Sequence, residues 1–135
     1  KNNSLINIHT HITKMVDYAS EITVEFLTEH ILDENFTEEP EDEKPKGAPE
    51  KYIRGKDIEH LVRDLCEDLD RSERFQAMLA LVNEMDVEGR GYVTPESFHR
   101  YYQRIANSKK VSKYSKFVLK KVERCYEDFL MNNDE

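Results

Sequence analysis

Residues that break helices are scarce in this chain, which contains only four glycines and four prolines. Half of these fall within the short stretch 37–50. Few, long and mostly helical elements are therefore predicted. No apolar run approaches the ~20 residues that a membrane-spanning helix needs, and no signal peptide is evident. Neither a membrane span nor a secretory leader is therefore predicted.

The chain has only two cysteines, and its 20 basic residues are outnumbered by 28 acidic ones. Cys66 and Cys125 are far apart and lack the spacing of a metal site, which favours free thiols in an intracellular protein. A formal net charge of -8 argues against nucleic acid as a partner. The chain also lacks a glycine-rich phosphate loop, a nucleophile motif and a histidine–glutamate zinc motif. We therefore expect a cytoplasmic protein that is not an enzyme.

The N-terminal part of the chain is predicted to form one long helix over residues 5–36. Its apolar residues follow spacings of three and four, which is the stripe of an amphipathic helix. A second row is acidic and repeats every four residues: Asp17, Glu21, Glu25, Glu29 and Asp33. Residues 37–50 hold six acids against two lysines, together with three prolines, and are predicted to be a mobile acidic loop.

The rest of the chain also shows helical periodicity. Two helices are predicted within residues 53–85, and a third has Thr94 as its N-cap and Pro95 at its first position. A C-terminal helix is predicted over 110–131. No strand-type alternation of useful length is present, so β structure is limited to a bridge between loops. The predicted fold class is all-α, in a single domain over 1–135.

The segment DVEGRGYVTPES, residues 86–97, has the pattern of a cation-binding loop between two helices. Calcium takes its oxygens from alternate positions of such a twelve-residue loop, and a glycine at position 6 makes the sharp turn. Asp86 stands at position 1, Glu88 at position 3, Gly91 at position 6 and Val93 at position 8. This stretch resembles an EF-hand.

Two positions depart from the EF-hand pattern. Arg90 stands at position 5, where an acid or amide belongs, and Ser97 at position 12, where a bidentate glutamate belongs. The remaining candidate ligands are Asp86, Glu88, the Tyr92 carbonyl and Thr94. The resemblance thus implies a weak or vestigial site, with calcium bound weakly if at all and no other cofactor.

EF-hands usually come in pairs, and a second loop of matching length lies upstream. Residues 46–57, KGAPEKYIRGKD, align in spacing, with Ile53 at position 8 and Asp57 at position 12. Lys46 stands at position 1, so this loop has almost no ligands. The pairing implies that Ile53 and Val93 brace the two loops against each other.

The resemblance divides the domain into four parts. They are the long entering helix 5–36, an acidic insertion and ghost loop 37–52, an exiting helix plus second EF-hand 53–106, and the C-terminal helix 110–131. Such pairs are similar to those in myosin light chains and other calmodulin-like proteins that have lost calcium, in which an open lobe grips an amphipathic helix of a target chain.

The resemblance implies a non-catalytic interaction module that acts as a light chain, adaptor or scaffold subunit, with the cytoskeleton as one setting. Two alternatives stay open. The chain could be a weak calcium or magnesium sensor, or a regulatory EF-hand domain cut from a larger enzyme or cytoskeletal protein. The absence of an initial methionine fits the last alternative.

The predicted partner-binding residues are of two kinds. Apolar and aromatic side chains would build the lobe or line its groove: Phe75, Met78, Val82, Met85, Phe98, Tyr101 and Tyr102. Basic side chains belong to the segment 100–124, in which nine basic residues face the single acid Glu123, and the candidates there are Lys113, Lys116 and Lys120.

The basic segment has three interpretations. It is a solvated helix face, it docks against the acidic row or the acidic loop, or it binds an acidic partner or a membrane surface through residues 109–121. The C-terminal helix itself either fills the groove or extends the docking surface.

Overall fold

The computed structural model describes residues 17–132. This part of the chain is all-α, as predicted, and its helices are α1 (Tyr18–Glu21), α2 (Val24–His30), α3 (Lys56–Leu65), α4 (Arg71–Met85), α5 (Pro95–Ala106) and α6 (Lys113–Asn132). Two short 3-10 turns, Asp33–Asn35 and Glu41–Glu43, complete it. Within residues 17–132, none of the helices has the length and apolar character that crossing a bilayer requires. Whatever was predicted for residues 1–16 lies outside the described part.

The single helix predicted over 5–36 is wrong in its described part, because the chain leaves the helical path at Ile22 and Thr23. Ile22 has an extended backbone and a fully buried side chain. Thr23 caps α2, and its hydroxyl accepts a hydrogen bond from the Phe26 N–H at 3.0 Å. Two consecutive β-branched residues favour extended backbone, and burial of Ile22 together with the cap outweighs continuing the helix.

The acidic segment 37–50 is more regular than predicted. It contains the 3-10 turn Glu41–Glu43, and its Glu39 accepts hydrogen bonds from the Tyr52 hydroxyl and, at 2.7 Å, from the Arg54 guanidinium. Hydrogen bonds from these two side chains hold the pKa of Glu39 below its usual range. Composition predicted a mobile acidic loop, but one of its acids, Glu39, is hydrogen-bonded to the guanidinium of Arg54.

The later helices begin at caps that are visible in the sequence. Asp70 accepts a hydrogen bond from the Glu73 N–H at 2.8 Å and starts α4, and Thr94 starts α5 with Pro95 at the first position. The predicted C-terminal helix begins at Lys113 rather than at residue 110. The predicted cap at Thr94 is therefore confirmed, whereas the predicted start of the C-terminal helix is three residues too early.

The hydrophobic core lies where α3, α4, α5 and α6 meet, since α6 contacts each of the other three. Cys66 is part of this core, and burial raises the pKa of its thiol to about 11. Cys66 and Cys125 are both free thiols, as predicted.

Candidate functional site: the paired loops and their helical groove

The two loops meet at a single antiparallel β-bridge. Ile53 and Val93 exchange backbone hydrogen bonds, each with an N···O distance of 2.8 Å, and both side chains are fully buried. The rings of the preceding residues, Tyr52 and Tyr92, meet edge to face with centroids 6.0 Å apart. The predicted brace between Ile53 and Val93 is therefore present, and within residues 17–132 it is the one isolated bridge.

In loop 86–97 the backbone wraps around the first residue. One carboxylate oxygen of Asp86 accepts the Arg90 N–H at 2.9 Å, and the other accepts the Gly91 N–H at 2.7 Å. Gly91 has φ +88, in the left-handed region that favours glycine. Asp86 and Gly91 thus shape the tight turn at the positions where the sequence pattern places them.

The positions that depart from the EF-hand pattern make contacts within the loop. Arg90 forms an ion pair with Glu88 at 3.1 Å, and both side chains are more than half exposed. The Ser97 hydroxyl accepts the Thr94 N–H at 2.9 Å, while the Thr94 hydroxyl accepts the Ser97 N–H at 3.0 Å, which is a reciprocal capping box. The two hydroxyls thus cap the N-terminus of α5.

Carboxylates are the ligands that a hard divalent cation prefers, and this loop has three of them: Asp86, Glu88 and Glu96. The guanidinium of Arg90 pairs with Glu88. Among residues 17–132, no three histidine, cysteine, aspartate or glutamate side chains are grouped so that they could hold a metal ion. The predicted weak site at Asp86, Glu88, Tyr92 and Thr94 stays a prediction.

The upstream loop 46–57 is held by a residue that the sequence did not single out. The Thr37 hydroxyl donates to the Asp57 carboxylate at 2.7 Å and accepts the Arg54 N–H at 2.9 Å. Asp57 would be the last ligand of this loop, and a side chain from the acidic segment engages it instead. No local signal could have identified Thr37, since its partners lie about twenty residues further along the chain.

The groove between the helices is filled by α6. Val118, Val122 and Ser115 on this helix are completely buried. The Ser115 hydroxyl lies 2.6 Å from the Tyr101 hydroxyl and donates to the Glu84 carboxylate at 2.9 Å. Of the two roles predicted for the C-terminal helix, the structure has the one in which the chain fills its own groove.

Tyrosine–glutamate hydrogen bonds join α6 to the other helices along its length. The sequence did not predict these pairs. Each tyrosine hydroxyl donates to a carboxylate on another helix: Tyr102 to Glu123 at 3.0 Å, Tyr114 to Glu73 at 2.8 Å, Tyr126 to Glu21 at 3.1 Å, and Tyr18 to Glu127. Burial raises the pKa of Glu123, against the opposing effect of the Tyr102 hydrogen bond. Burial likewise raises the pKa of Tyr102.

The predicted apolar partner-binding residues are mostly core. Met85, Phe98, Tyr101 and Tyr102 are all at most 1% exposed, so they form no open contact surface in this structure. Part of the cover over Tyr101 and Tyr102 is α6, which supplies their hydrogen-bond partners Ser115 and Glu123. Met78 and Val82 are half-buried and pack against the edge of the core. The prediction that Phe75 helps to build the lobe is wrong, because its side chain is 56% exposed.

Part of the basic segment docks within the chain, but not on the acids that were predicted. Lys113 pairs with Glu73 at 3.3 Å and Lys121 pairs with Glu67 at 2.7 Å. Lys121 holds the pKa of Glu67 below its usual range. These acids belong to α4 and to the turn before it, not to the acidic row or the acidic loop. Lys116 and Lys120 remain exposed on α6.

Comparisons of this chain with protein-family models, with curated proteins and with solved structures find no match. The geometry of the two loops and of the helices around them is therefore the basis for a function. The two loops are joined at the bridge between Ile53 and Val93 and lie between helices.

Proposed function

We propose that this chain is a non-catalytic, EF-hand-like interaction module that binds a helix of a larger protein partner and needs no metal ion to keep its shape. The observation that carries the proposal is the bridge between Ile53 and Val93, at the eighth positions of two loops of equal length. In loop 86–97, Asp86 and Gly91 support the turn that an EF-hand loop requires.

The internal contacts of the loop support independence from metal. The Glu88–Arg90 ion pair and the hydroxyls of Thr94 and Ser97 take the place of contacts that a cation would otherwise provide. A loop whose polar side chains already pair with one another keeps its shape without calcium. The weak-sensor alternative requires that a cation compete with these contacts.

The position of α6 supports a helix-binding role. The lobe already holds one amphipathic helix through buried valines at its centre and tyrosine–glutamate pairs at its edges. Because α6 occupies this surface, a light chain, adaptor or scaffold subunit in the cytoplasm would hold a partner helix on another apolar face. Whether the chain works alone or as the regulatory domain of a larger protein does not alter this proposal.

A calcium titration followed by amide NMR tests the metal-independent shape. The reporter is the Gly91 amide, which now donates to Asp86 and would respond to a cation beside that carboxylate. We expect no saturable shift at millimolar calcium, relative to a chelator-treated sample. Saturable shifts below ~100 µM, within the range of sensor sites, would overturn the proposal in favour of a sensor.

A gain-of-binding variant tests the EF-hand-like geometry itself. Arg90→Asp with Ser97→Glu restores the ligands of positions 5 and 12, and glutamate at the third helical position preserves the capping box with Thr94. We expect saturable calcium binding by this variant and none by the matched Arg90→Asn, Ser97→Gln control. Failure of the first variant to bind would show that the loop lacks EF-hand geometry.

A further inference from the structure

The helix α4 carries apolar residues on two faces. Ala77, Leu81 and Met85, spaced four apart, are buried against the core. Phe75 and Leu79, also four apart, lie on another face and are 56% and 49% exposed. A helix at the surface of a monomer normally carries polar residues where these two side chains lie. The packing of the described residues therefore does not account for the apolar side chains on the outer face of α4.

Arginines surround this face. Phe75 and Met78 line a groove of about 630 Å³ between α3 and α4, together with Arg63, Arg71 and Arg74. Glu59 is the single acid in the lining of this groove. We call this surface the arginine groove.

The charge of the arginine groove is not matched within the described chain. None of the ion pairs found among residues 17–132 involves Arg63, Arg71 or Arg74. The carboxylate beside Arg71 in the sequence, Asp70, is engaged as the N-cap of α4. A net charge of -8 makes three arginines without an ion pair around an exposed phenylalanine a notable local exception.

We infer that the arginine groove is the docking site for an acidic, amphipathic helix of the protein partner; this inference rests on the proposed interaction function. Arginines and aromatic side chains are the residues that most often dominate binding energy at interfaces. Leucine-type side chains of the partner would cover Phe75 and Met78 in the groove and extend over Leu79 beside it, and its carboxylates would meet the guanidiniums. The N-terminal segment 1–16 of this chain has two lysines and no acid, so it does not complement the groove.

The test uses two designed helical peptides of about 18 residues, which share leucines at spacings of three and four. The remaining positions are mainly glutamate in one peptide and mainly lysine in the other. Each is titrated into the full chain and followed by amide NMR. We expect the glutamate peptide to shift the amides around Phe75 and Leu79, and to bind at least about tenfold more tightly than the lysine peptide.

Variants of the exposed side chains locate the site without disturbing the core. Phe75→Ser and the pair Arg71→Glu with Arg74→Glu should each weaken binding of the glutamate peptide by at least about tenfold. The matched control makes the same charge change in loop 46–57, at the exposed Lys46 and Lys51. The control should leave the affinity for the glutamate peptide unchanged. Equal weakening by the control would show that only the total charge of the protein matters, and would refute the inference.

The remaining outcomes separate this inference from the proposed function. Shifts centred on Val118 and Val122, with release of α6, would keep a helix-binding lobe but refute docking at the arginine groove. Binding of neither peptide would refute the docking inference, while the calcium experiments would still decide the loop geometry. Self-association of the chain that Phe75→Ser abolishes would overturn the acidic partner and make a second copy the occupant.

Discussion

Replacing Val122 by alanine should destabilise the whole domain, because α6 supplies part of its core. Val122 is completely buried, and the substitution removes two buried methyl groups. At ~0.8 kcal/mol for each, the transfer term is ~1.6 kcal/mol, and the cavity left behind raises the cost towards ~3 kcal/mol. Alanine favours the helix by up to ~0.7 kcal/mol relative to valine, so we expect a net loss of ~1–2.5 kcal/mol.

Urea unfolding followed by circular dichroism measures this loss. The matched control is Val87→Ala, which deletes the same atoms from a side chain that is 67% exposed in the loop after α4. It should change the free energy of unfolding by less than ~0.5 kcal/mol. Equally small changes in the free energy of unfolding at both positions would show that α6 is not part of the cooperative core. The chain would then not fill its own groove in solution.

Two further predictions concern polar groups that α6 buries. Ser115→Ala should cost ~1–3 kcal/mol because it leaves the Tyr101 hydroxyl buried without its partner, whereas adding Tyr101→Phe should recover part of that loss. Strict additivity in a double-mutant cycle by urea unfolding would contradict the hydrogen bond. Burial raises the pKa of Glu123 above its usual 4.5, so the stability gained from its protonated form is present in acid and is lost as pH rises through the raised value. Urea midpoints measured from about pH 4 to about pH 8 should therefore fall more steeply for the native chain than for Glu123→Gln, and parallel profiles would refute the assignment.

Features that depend on neighbours in the chain were predictable. Thr94 followed by Pro95 marks the start of α5, because a side-chain cap and a fixed φ act within one turn. Gly91 marks the turn, because few other residues adopt its φ of +88. The bridge between Ile53 and Val93 was expected because the two loops resemble a pair of EF-hands, in which the eighth positions face each other.

Features that depend on distant contacts were not predictable. The break at Ile22 and Thr23 interrupts an apolar spacing that would equally suit a continuous helix, and burial of Ile22 decided between the two. The order in segment 37–50 depends on Arg54, a cation outside it. The composition of this segment includes its acids but not Arg54, the cation that one of them binds.

The candidate site shows the same division. The sequence alone determined the all-helical character of the described residues and the glycine turn at Gly91, because these properties belong to residue types and their spacing. The tertiary structure added that Phe98 and Tyr101 are buried whereas Phe75 is exposed. An amphipathic pattern states that a face is apolar but not which surface covers it. That choice depends on the total buried area and polar pairing of competing arrangements, which no single segment contains.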